Sequence, residues 1–495
     1  ITTKLGTGFE SATFKLNRNP LKRYDDLGLL QRVVVEGPDG TVLFEGAITG
    51  TAPEAGQGLQ ITATGDFSQL KDKAGFSEIY RDADSSSWGG MPLNQEAANL
   101  TSNYMNTNGS AEQGKVKLAI PPPEWTSPGL PLCESWYTAP AGVSIGTVEY
   151  AWTQNNFNAA TAYWGLFISD NDVRVSAGAD FDQTGDLQAA GPGSGDLDAS
   201  ESGRRFASVQ MRWDAALATP DSVERSVLWS LVVKSQHGLT TITPSTVLQH
   251  IIDSFCPGLS YDADSITPHP FEIGQLVFDG VTPADAIAKL NGFANWDLNV
   301  WEDGCVYFGP APDLTDPDYI LNIEAGDARD PDGQSVSEDY PVNGVEVFYT
   351  DALTQRAARI GPDDDFRLSS TDDENPCNRE IRSRWGKMDI SSACTQDDAI
   401  QVGSVWLAEH LIPSRSGSGK AVGTVTARNG MRVPASNIRA GEVVRYADEE
   451  LGRQVYSTSY QPATQENSLT YDDATATLSA ILERIGIAVS LIGGR

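Results

Sequence analysis

The chain has 495 residues, with 35 Lys or Arg against 67 Asp or Glu, which gives a formal net charge of −32 at pH 7. A chain of this length implies roughly three or four domains. This charge balance argues against nucleic-acid binding, because phosphates are held by clustered Lys and Arg, and the sequence has no such cluster. Two interpretations of the acidic surface stay open: it keeps the protein soluble, or it lines a passage that repels DNA.

Cysteine and histidine usage argues against metal and disulfide sites. The five cysteines are widely spaced without a CxxC pair, and the four histidines show no metal-ligand spacing. No apolar run reaches the ~18 residues that a membrane span needs, and the first residues lack a signal-peptide core. We therefore expect a soluble protein without an export signal and without a cofactor.

Residues 1–90 predict a first β-rich domain. Apolar and polar residues alternate over 12–16 and 59–63, as in strands with one buried face. Between them, apolar runs at 33–35 and 42–44 flank a Pro-Asp-Gly turn, which predicts a β-hairpin. Asp66 predicts the N-cap of a short helix. Together these elements predict a small antiparallel β-barrel.

The order of these segments resembles a known family. The runs GFESATFKL, LGLLQRVVVEGPDGTVLFEGAI, ITATGDFSQLKD and FSEIYRD follow one another. This order is similar to the first β-barrel of tailed-bacteriophage baseplate-hub and tail-tip (minor tail) proteins, as in long-tailed phages of actinobacteria. The predicted fold class is mainly β with α+β parts: two hub-type antiparallel β-barrels, an inserted jelly-roll β-sandwich and a small α+β linking domain.

Residues 110–238 differ in texture and predict an inserted Trp-rich β-sandwich, since alternating runs are separated by Gly-, Pro- and Asp-rich turns. Four of its aromatic residues could stack on the faces of sugar rings: Trp136, Tyr137, Tyr163 and Trp164. Most of its Trp residues also fit a buried core, because they follow apolar residues at period two. Binding of a host cell-wall glycan and a purely structural core both stay open.

An acidic loop within this insert loosely imitates a calcium-binding loop. Asp180, Asp182 and Asp186 have the spacing of the first ligands, but Gly191 stands where the bidentate Glu is required. Calcium is therefore a weak candidate, and a solvated loop is the favoured interpretation.

Helical periodicity begins at residue 239 and predicts a compact α+β unit over 239–335. Thr243-Pro244 and Thr282-Pro283 each supply an N-cap followed by a preset first helical turn. The run VFDGVTPADAIAKLNGFANWDLNVWEDGCVYFGP resembles the small domain that links the two barrels of phage hub proteins. An acidic, Pro-rich stretch over 311–340 predicts a linker.

Residues 336–495 predict the second hub β-barrel with associated helices. Helices are predicted over 395–411 and 470–484, and Asn429-Gly430 predicts a two-residue hairpin. The order of strand, Asn-Gly turn and AGEVV is similar to the second barrel of phage hub proteins. The resemblance thus covers both barrels and the linking unit, whereas the inserted sandwich departs from the family plan.

No local trace of catalysis is found. The sequence contains no GxSxG elbow, no HExxH, no GxxxxGK[ST] loop and no GxGxxG opening a helix after a strand. Pairs of carboxylates arise by chance in so acidic a chain and indicate no glycosidase. We therefore expect a protein that is not an enzyme.

The resemblance implies a structural protein of the virion, located at the tail tip or baseplate. It implies a homotrimer whose two similar barrels per chain adapt a six-fold tail tube to a three-fold tip and form part of the DNA exit channel. Its expected partners are the distal tail protein, the tail tube, the tape-measure protein and other baseplate or tail-fibre proteins. The alternative is a secreted or surface carbohydrate-binding protein in which the sandwich is the active module.

Overall fold

Strands predominate in the protein, so the prediction of a mainly β chain is confirmed. The structure is a computed structural model. It describes residues 1–17, 27–54, 58–72, 74–82, 91–92, 113–118, 131–155, 162–169, 188–189, 193–198, 206–213, 225–294, 296–313, 315–329, 335–336, 344–351, 354–360, 385–410, 415–447, 449 and 452–471.

The N-terminal region forms five antiparallel strands, a short helix and a sixth strand. These are β1 (Thr2–Lys4), β2 (Gly8–Asn17), β3 (Arg32–Glu36), β4 (Val42–Glu54), β5 (Gly58–Thr64), α1 (Asp66–Gln69) with a 3₁₀ turn at Leu70–Asp72, and β6 (Phe76–Arg81). The first five pair in the order β1-β2-β5-β4-β3. The predicted hairpin is β3–β4, and its turn residue Gly40 has a φ of +82°, which glycine adopts without strain.

The inserted region forms two antiparallel sheets. Its strands are β7 (Met91–Pro92), β8 (Gln113–Leu118), β9 (Pro131–Thr138), β10 (Thr147–Asn155), β11 (Ala162–Ser169), β12 (Gln188–Ala189), β13 (Gly193–Asp198), β14 (Phe206–Trp213) and β15 (Arg225–Lys234). One sheet has the order β13-β10-β15-β8 and the other β12-β11-β14-β9-β7. Since β7 already pairs with β9, the inserted sheet begins before the predicted boundary at 110. The jelly-roll arrangement of these two sheets stays a prediction.

Both ends of the insert meet at one place, which we call the stem. Asp82 and Val233 exchange two backbone hydrogen bonds, at 2.9 and 2.8 Å, and the N–H of Ser235 donates to the carbonyl of Ile79 at 2.9 Å. The chain therefore leaves and re-enters the scaffold side by side, as an insertion into a host domain requires.

The α+β unit supplies the main core. Its elements are α2 (Pro244–Phe255), β16 (Leu276–Val281), α3 (Pro283–Ala294), β17 (Asp297–Val300), a 3₁₀ turn at Glu302–Gly304, and β18 (Val306–Gly309). The predicted caps are present: Thr243 accepts from the N–H of Thr246 at 3.3 Å, and Thr282 accepts from the N–H of Asp285 at 3.2 Å. Each cap satisfies a helical N–H that would otherwise lack a partner. β16 pairs with β6, and β17 pairs with β18.

The acidic stretch after residue 311 is not a free linker. It contains three short strands: β19 (Tyr319–Leu321), β20 (Ala328–Arg329) and β21 (Ser335–Val336). All three pair with strands that come from residues 415–446.

The elements of residues 344–410 pack on the α+β unit. They are β22 (Gly344–Asp351), β23 (Thr354–Ile360), β24 (Trp385–Ala393) and α4 (Gln396–His410). Val347 and Trp406 belong to the same buried cluster as Leu248 of α2 and Leu290 of α3. Strands before residue 336 thus pair with the C-terminal strands, whereas the elements of residues 344–410 pack on the α+β unit. The segments do not divide into two groups at residue 336.

The C-terminal strands close onto the N-terminal ones. They are β25 (Arg415–Val422), β26 (Thr424–Ala427), β27 (Arg432–Pro434), β28 (Val443–Tyr446), β29 (Arg453–Gln461) and β30 (Glu466–Tyr471), with a 3₁₀ turn at Ala435–Asn437. β29 pairs with β1, so the N-terminal strands and the strands of residues 415–471 share one 14-stranded sheet. Within it, β19 and β28 are parallel, whereas the pairs among β1 to β5 are antiparallel. The N-terminal strands have the order β1-β2-β5-β4-β3 and the C-terminal ones β27-β26-β19-β28-β29, so the two strand orders differ. The predicted last helix falls outside the described residues except at 470 and 471, which belong to β30.

Candidate functional site

The two chain ends and the α+β unit meet around Arg439, and we call this region the junction. Its guanidinium lies 5.2 Å from the ring centroid of Trp301 and 5.5 Å from that of Phe9, and the two rings contact edge to face at 5.1 Å. It also donates to the carbonyl of Val42 at 2.8 Å and pairs with Glu302. One C-terminal side chain thus contacts both other parts of the scaffold through charge-assisted and cation–π interactions.

Strand pairing at the junction is reinforced by side chains. The hydroxyls of Thr3 and Thr458 are 2.7 Å apart, and the N–H of Ala440 donates to Thr3 at 3.0 Å. Both threonines are buried, and these bonds satisfy hydroxyls that would be costly to leave unpaired. The junction is therefore a specific and satisfied contact between residues far apart in sequence.

A polar cleft of about 280 Å³ opens beside the junction, between the N-terminal sheet and the α+β unit. Its lining includes Arg32, Glu45, Asp66 and Asp303. Glu45 is buried, pairs with Arg32 and accepts from the N–H of Asp303 at 3.0 Å, so its charge is compensated within the protein. Burial, and secondarily the negative charge of Glu45, raise the pKa of Asp66. The cleft thus carries more carboxylates than cations, and Arg32 is shared between Glu45 and Asp303.

A second, more apolar cleft of about 330 Å³ lies between the β1–β2 turn and α3. Its lining includes Lys4, Phe67, Ile287, Leu298 and Tyr456. Lys4 places its ammonium 5.7 Å from the ring centroid of Tyr456. The cleft combines apolar walls with a few polar groups, among them Thr282, whose hydroxyl donates to the carboxylate of Asp285 at 2.7 Å.

A buried carboxylate fastens α4 to the α+β unit. Asp398 accepts from the backbone N–H groups of Gly274 and Gln275, both at 2.8 Å, and from that of its own cap residue Thr395 at 3.2 Å. The Gln275 side chain in turn donates to Asp82 in the stem at 2.7 Å. Burial raises the pKa of Asp398, while these N–H donors oppose the rise. The network connects stem, α+β unit and α4.

Metal binding finds no support in the part of the chain that the structure describes, where no three His, Cys, Asp or Glu residues are grouped to hold an ion. The same residues include no helix long and apolar enough to cross a membrane. The predicted calcium residues Asp180, Asp182 and Asp186 lie outside the described residues.

The structure places the predicted sugar-binding residues in one sheet of the insert. Trp136 and Tyr137 lie in β9, opposite Ser208 and Ala207, and Tyr163 and Trp164 lie in β11, opposite Arg212 and Met211. Both strands pair with β14, so the four positions occupy flanking strands. Their side chains are outside the description, and sugar binding stays a prediction. Sequence reasoning missed Arg439 and both clefts, because no local pattern marks a contact between distant segments.

Comparisons with known proteins give remote structural matches only. No protein-family model and no curated protein matches the chain. Solved structures that overlay on it include the prophage MuSo2 43 kDa tail protein from Shewanella oneidensis (12% identity, TM-score 0.32, 66% of this chain and 99% of that one). Others are the tail protein from Neisseria meningitidis MC58 (8%, 0.33, 68% and 99%) and prophage tail protein gp18 from Listeria monocytogenes EGD-e (12%, 0.32, 52% and 77%). Overlays with these TM-scores do not establish a shared fold, and we draw no function from them.

Proposed function

We propose that the chain is a structural protein of a phage tail, a hub at the tail tip, and not an enzyme. The observation that carries the proposal is the pairing of β1 with β29, which joins both chain ends into one sheet beside the α+β unit. The result is a continuous scaffold with a separate pair of sheets attached through a two-stranded stem. A continuous scaffold with one projecting module suits a connector that transmits position between neighbours.

The finer proposal is a homotrimer that adapts a six-fold tail tube to a three-fold tip and forms part of the DNA exit channel. The sequence resemblance supports it, and the net charge of −32 per chain suits a wall past which DNA slides. Because the two chain ends differ in strand order, a match to six-fold symmetry has to come from their outer surfaces and not from identical topology. The proposed neighbours are the distal tail protein, the tail tube, the tape-measure protein and other baseplate or fibre proteins.

The insert is proposed as a module that contacts the host surface. Its attachment through the stem favours this, since a module tied at one place can be exchanged without disturbing the scaffold. A host cell-wall glycan is its proposed ligand, bound by Trp136, Tyr137, Tyr163 and Trp164. Glycan-array and cell-wall pull-down measurements on the full chain, with Trp136→Ala and Trp164→Ala as variants, test it. Binding that both variants retain contradicts these residues as the site.

Particle mass tests the scaffold proposal. Native mass spectrometry of the purified chain, followed by electron microscopy class averages, is expected to show a three-chain particle with a central opening. A monomer that binds cell-wall sugar would instead support a surface carbohydrate-binding protein. Arg428→Ala, which removes an exposed ion pair with Asp316, is the control. It changes the net charge by one unit and is expected to leave the particle mass unchanged apart from the substitution.

A further inference from the structure

Two histidines lie at the stem, and the hydrogen bonds of one of them, His237, require a particular protonation state. His237 lies shortly after the end of the last insert strand, β15 (Arg225–Lys234), and its ring stacks on Tyr80 at a centroid distance of 5.3 Å. Tyr80 lies on the other crossing strand, two residues before Asp82. His250 projects from α2 onto the same tyrosine, with its Nδ1 2.9 Å from the Tyr80 hydroxyl. Both chain crossings therefore meet at one Tyr–His cluster.

The contacts of His237 define its neutral form. The backbone N–H of Leu239 donates to its Nδ1 at 3.0 Å, and its Nε2 lies 3.0 Å from the carbonyl oxygen of Tyr80. An N–H can only donate and a carbonyl can only accept, so Nδ1 is unprotonated and Nε2 carries the proton. A second proton would place an N–H of the ring against the N–H of Leu239. Protonation thus breaks the bond that fixes the segment leaving the stem.

His250 is placed to reinforce this effect. Its Nε2 lies 3.2 Å from the hydroxyl of Ser254, and its ring centroid is 6.0 Å from that of His237. Hydroxyl partners can rotate, so His250 alone tolerates a charge. Two imidazolium rings at this distance would repel each other in a half-buried site.

We propose that His237 and His250 form an acid-sensitive clasp that fixes the insert to the scaffold, and that protonation of His237 loosens the stem. This device is separate from the proposed tail function and holds for any role of the insert. A tethered module whose attachment weakens in acid changes its range of orientation with pH.

The charged and buried groups around the cluster shift the pKa of each histidine in ways that can be separated. Burial lowers the pKa of both imidazoles, and for His237 the nearby His250 and Lys234 lower it further against the pull of the Tyr80 carbonyl. On β6, burial raises the pKa of Glu78 to about 7, so this carboxyl becomes neutral in acid and does not offset an imidazolium. On α2, Asp253 favours a charged His250, and Cys256 faces Tyr80.

The sign of the pH effect follows from these directions. A histidine whose folded-state pKa is depressed binds fewer protons in the folded stem than in the open one. Its contribution is complete above about pH 6.5 and is lost as the pH falls below that value. Glu78 acts in the opposite sense, because its raised pKa favours the folded, protonated form in acid. Glu78→Gln removes this opposing effect and is expected to make the acid loss larger.

Hydrogen–deuterium exchange of the full chain tests the clasp, with rates corrected for intrinsic pH dependence. Protection of peptides covering 79–82 and 233–239 is expected to fall about tenfold between pH 7.5 and 5.0 in Glu78→Gln, where the opposing carboxyl is removed, and to fall less in the native sequence. When His237→Asn, which keeps an acceptor for the Leu239 N–H and does not titrate, is added to Glu78→Gln, the fall is expected to be less than about twofold. His237→Gln, which keeps a donor to the Tyr80 carbonyl, replaces it if circular dichroism shows that His237→Asn is unfolded.

His269 provides the matched control. Like His237, it accepts a backbone N–H at its Nδ1, from Phe271 at 3.1 Å. It is buried against Trp296 and not at the stem. His269→Asn is expected to leave the acid loss at the stem unchanged. Equal stem protection at both pH values in Glu78→Gln, or a tenfold loss in that variant that survives the His237 substitution, would overturn the proposal.

Discussion

The guanidinium of Arg439 lies 5.2 Å from the ring centroid of Trp301, and this contact joins the C-terminal segment to the α+β unit at the point where Phe9 of β2 also packs. The three residues come from the three parts of the scaffold. The side-chain contacts among these three residues hold together the same parts of the scaffold that the β1–β29 pairing joins through the backbone. Single substitutions at these residues therefore test the junction.

Replacing Arg439 by Ala is expected to lower the free energy of unfolding by about 2 to 4 kcal/mol, because it removes partly buried charge-assisted hydrogen bonds and two cation–π contacts. Arg439→Lys keeps the charge but loses the planar fork, so an intermediate loss is expected. Urea titration followed by circular dichroism measures both. Arg428→Ala is the control, and its exposed ion pair with Asp316 predicts a change within about 0.5 kcal/mol. Equal effects at the two arginines would contradict the role of the junction.

Gly8 tests how closely the N-terminal sheet approaches the α+β unit. It has a φ of +74°, and a Cβ there would overlap the backbone of Val300 in β17. Gly8→Ala is therefore expected to destabilise the protein by about 3 kcal/mol or more, from backbone strain and steric overlap together. Gly40 has a φ of +82° with open space around a Cβ, so Gly40→Ala isolates the strain and is expected to cost about 1 kcal/mol. Comparable losses in the two variants would refute the close approach.

Asp398 and Asp397 offer a matched pair on the first turn of α4. In Asp398→Asn, an amide NH₂ replaces one of the two carboxylate oxygens that accept from the N–H groups of Gly274 and Gln275. One backbone N–H then loses its acceptor, so we expect a loss of about 2 to 3 kcal/mol in the free energy of unfolding. Asp397 is exposed, and Asp397→Asn changes the net charge by the same amount with an expected effect below about 0.5 kcal/mol. Chemical denaturation separates them. A small effect at Asp398 would mean that the network does not stabilise the fold.

Glu442 makes stability depend on pH in the alkaline direction. Burial raises its pKa to about 8, opposed by a hydrogen bond from the N–H of Arg439. The folded state therefore holds this proton more tightly than the unfolded state. The corresponding stability is complete below about pH 4.5 and is lost as the pH rises towards 8. Glu442→Gln is expected to abolish this loss, which we put at about 1 to 3 kcal/mol.

Unfolding free energies measured at pH 5 and pH 8.5 check the Glu442 prediction. Glu324→Gln, at an exposed glutamate, is the control and should leave the pH dependence unchanged. A pH dependence that is the same in Glu442→Gln and in the native sequence would show that this carboxyl titrates normally in the folded protein.

Local chemistry made several elements predictable from sequence. The caps at Thr243 and Thr282 and the turn at Gly40 depend on residues within four positions of each other, and the structure contains all three. The interleaving of segments around residue 336 was not predictable, because β19 pairs with β26 and β28 across more than a hundred residues. Arg439 gave no signal either: its partners Phe9, Val42 and Trp301 adjoin it only in the folded chain. A polar residue that contacts distant segments therefore has no local sequence pattern that distinguishes it from a solvent-exposed one.

Immunogold electron microscopy of intact phage particles tests the central claim most directly. With an antibody raised against the purified full chain, gold is expected at the distal tip of the tail on particles that bind the label. No gold is expected along the shaft or on the head. Virions without label, or label away from the tip while the antibody recognises the chain in solution, would contradict the assignment of this protein to a tail hub.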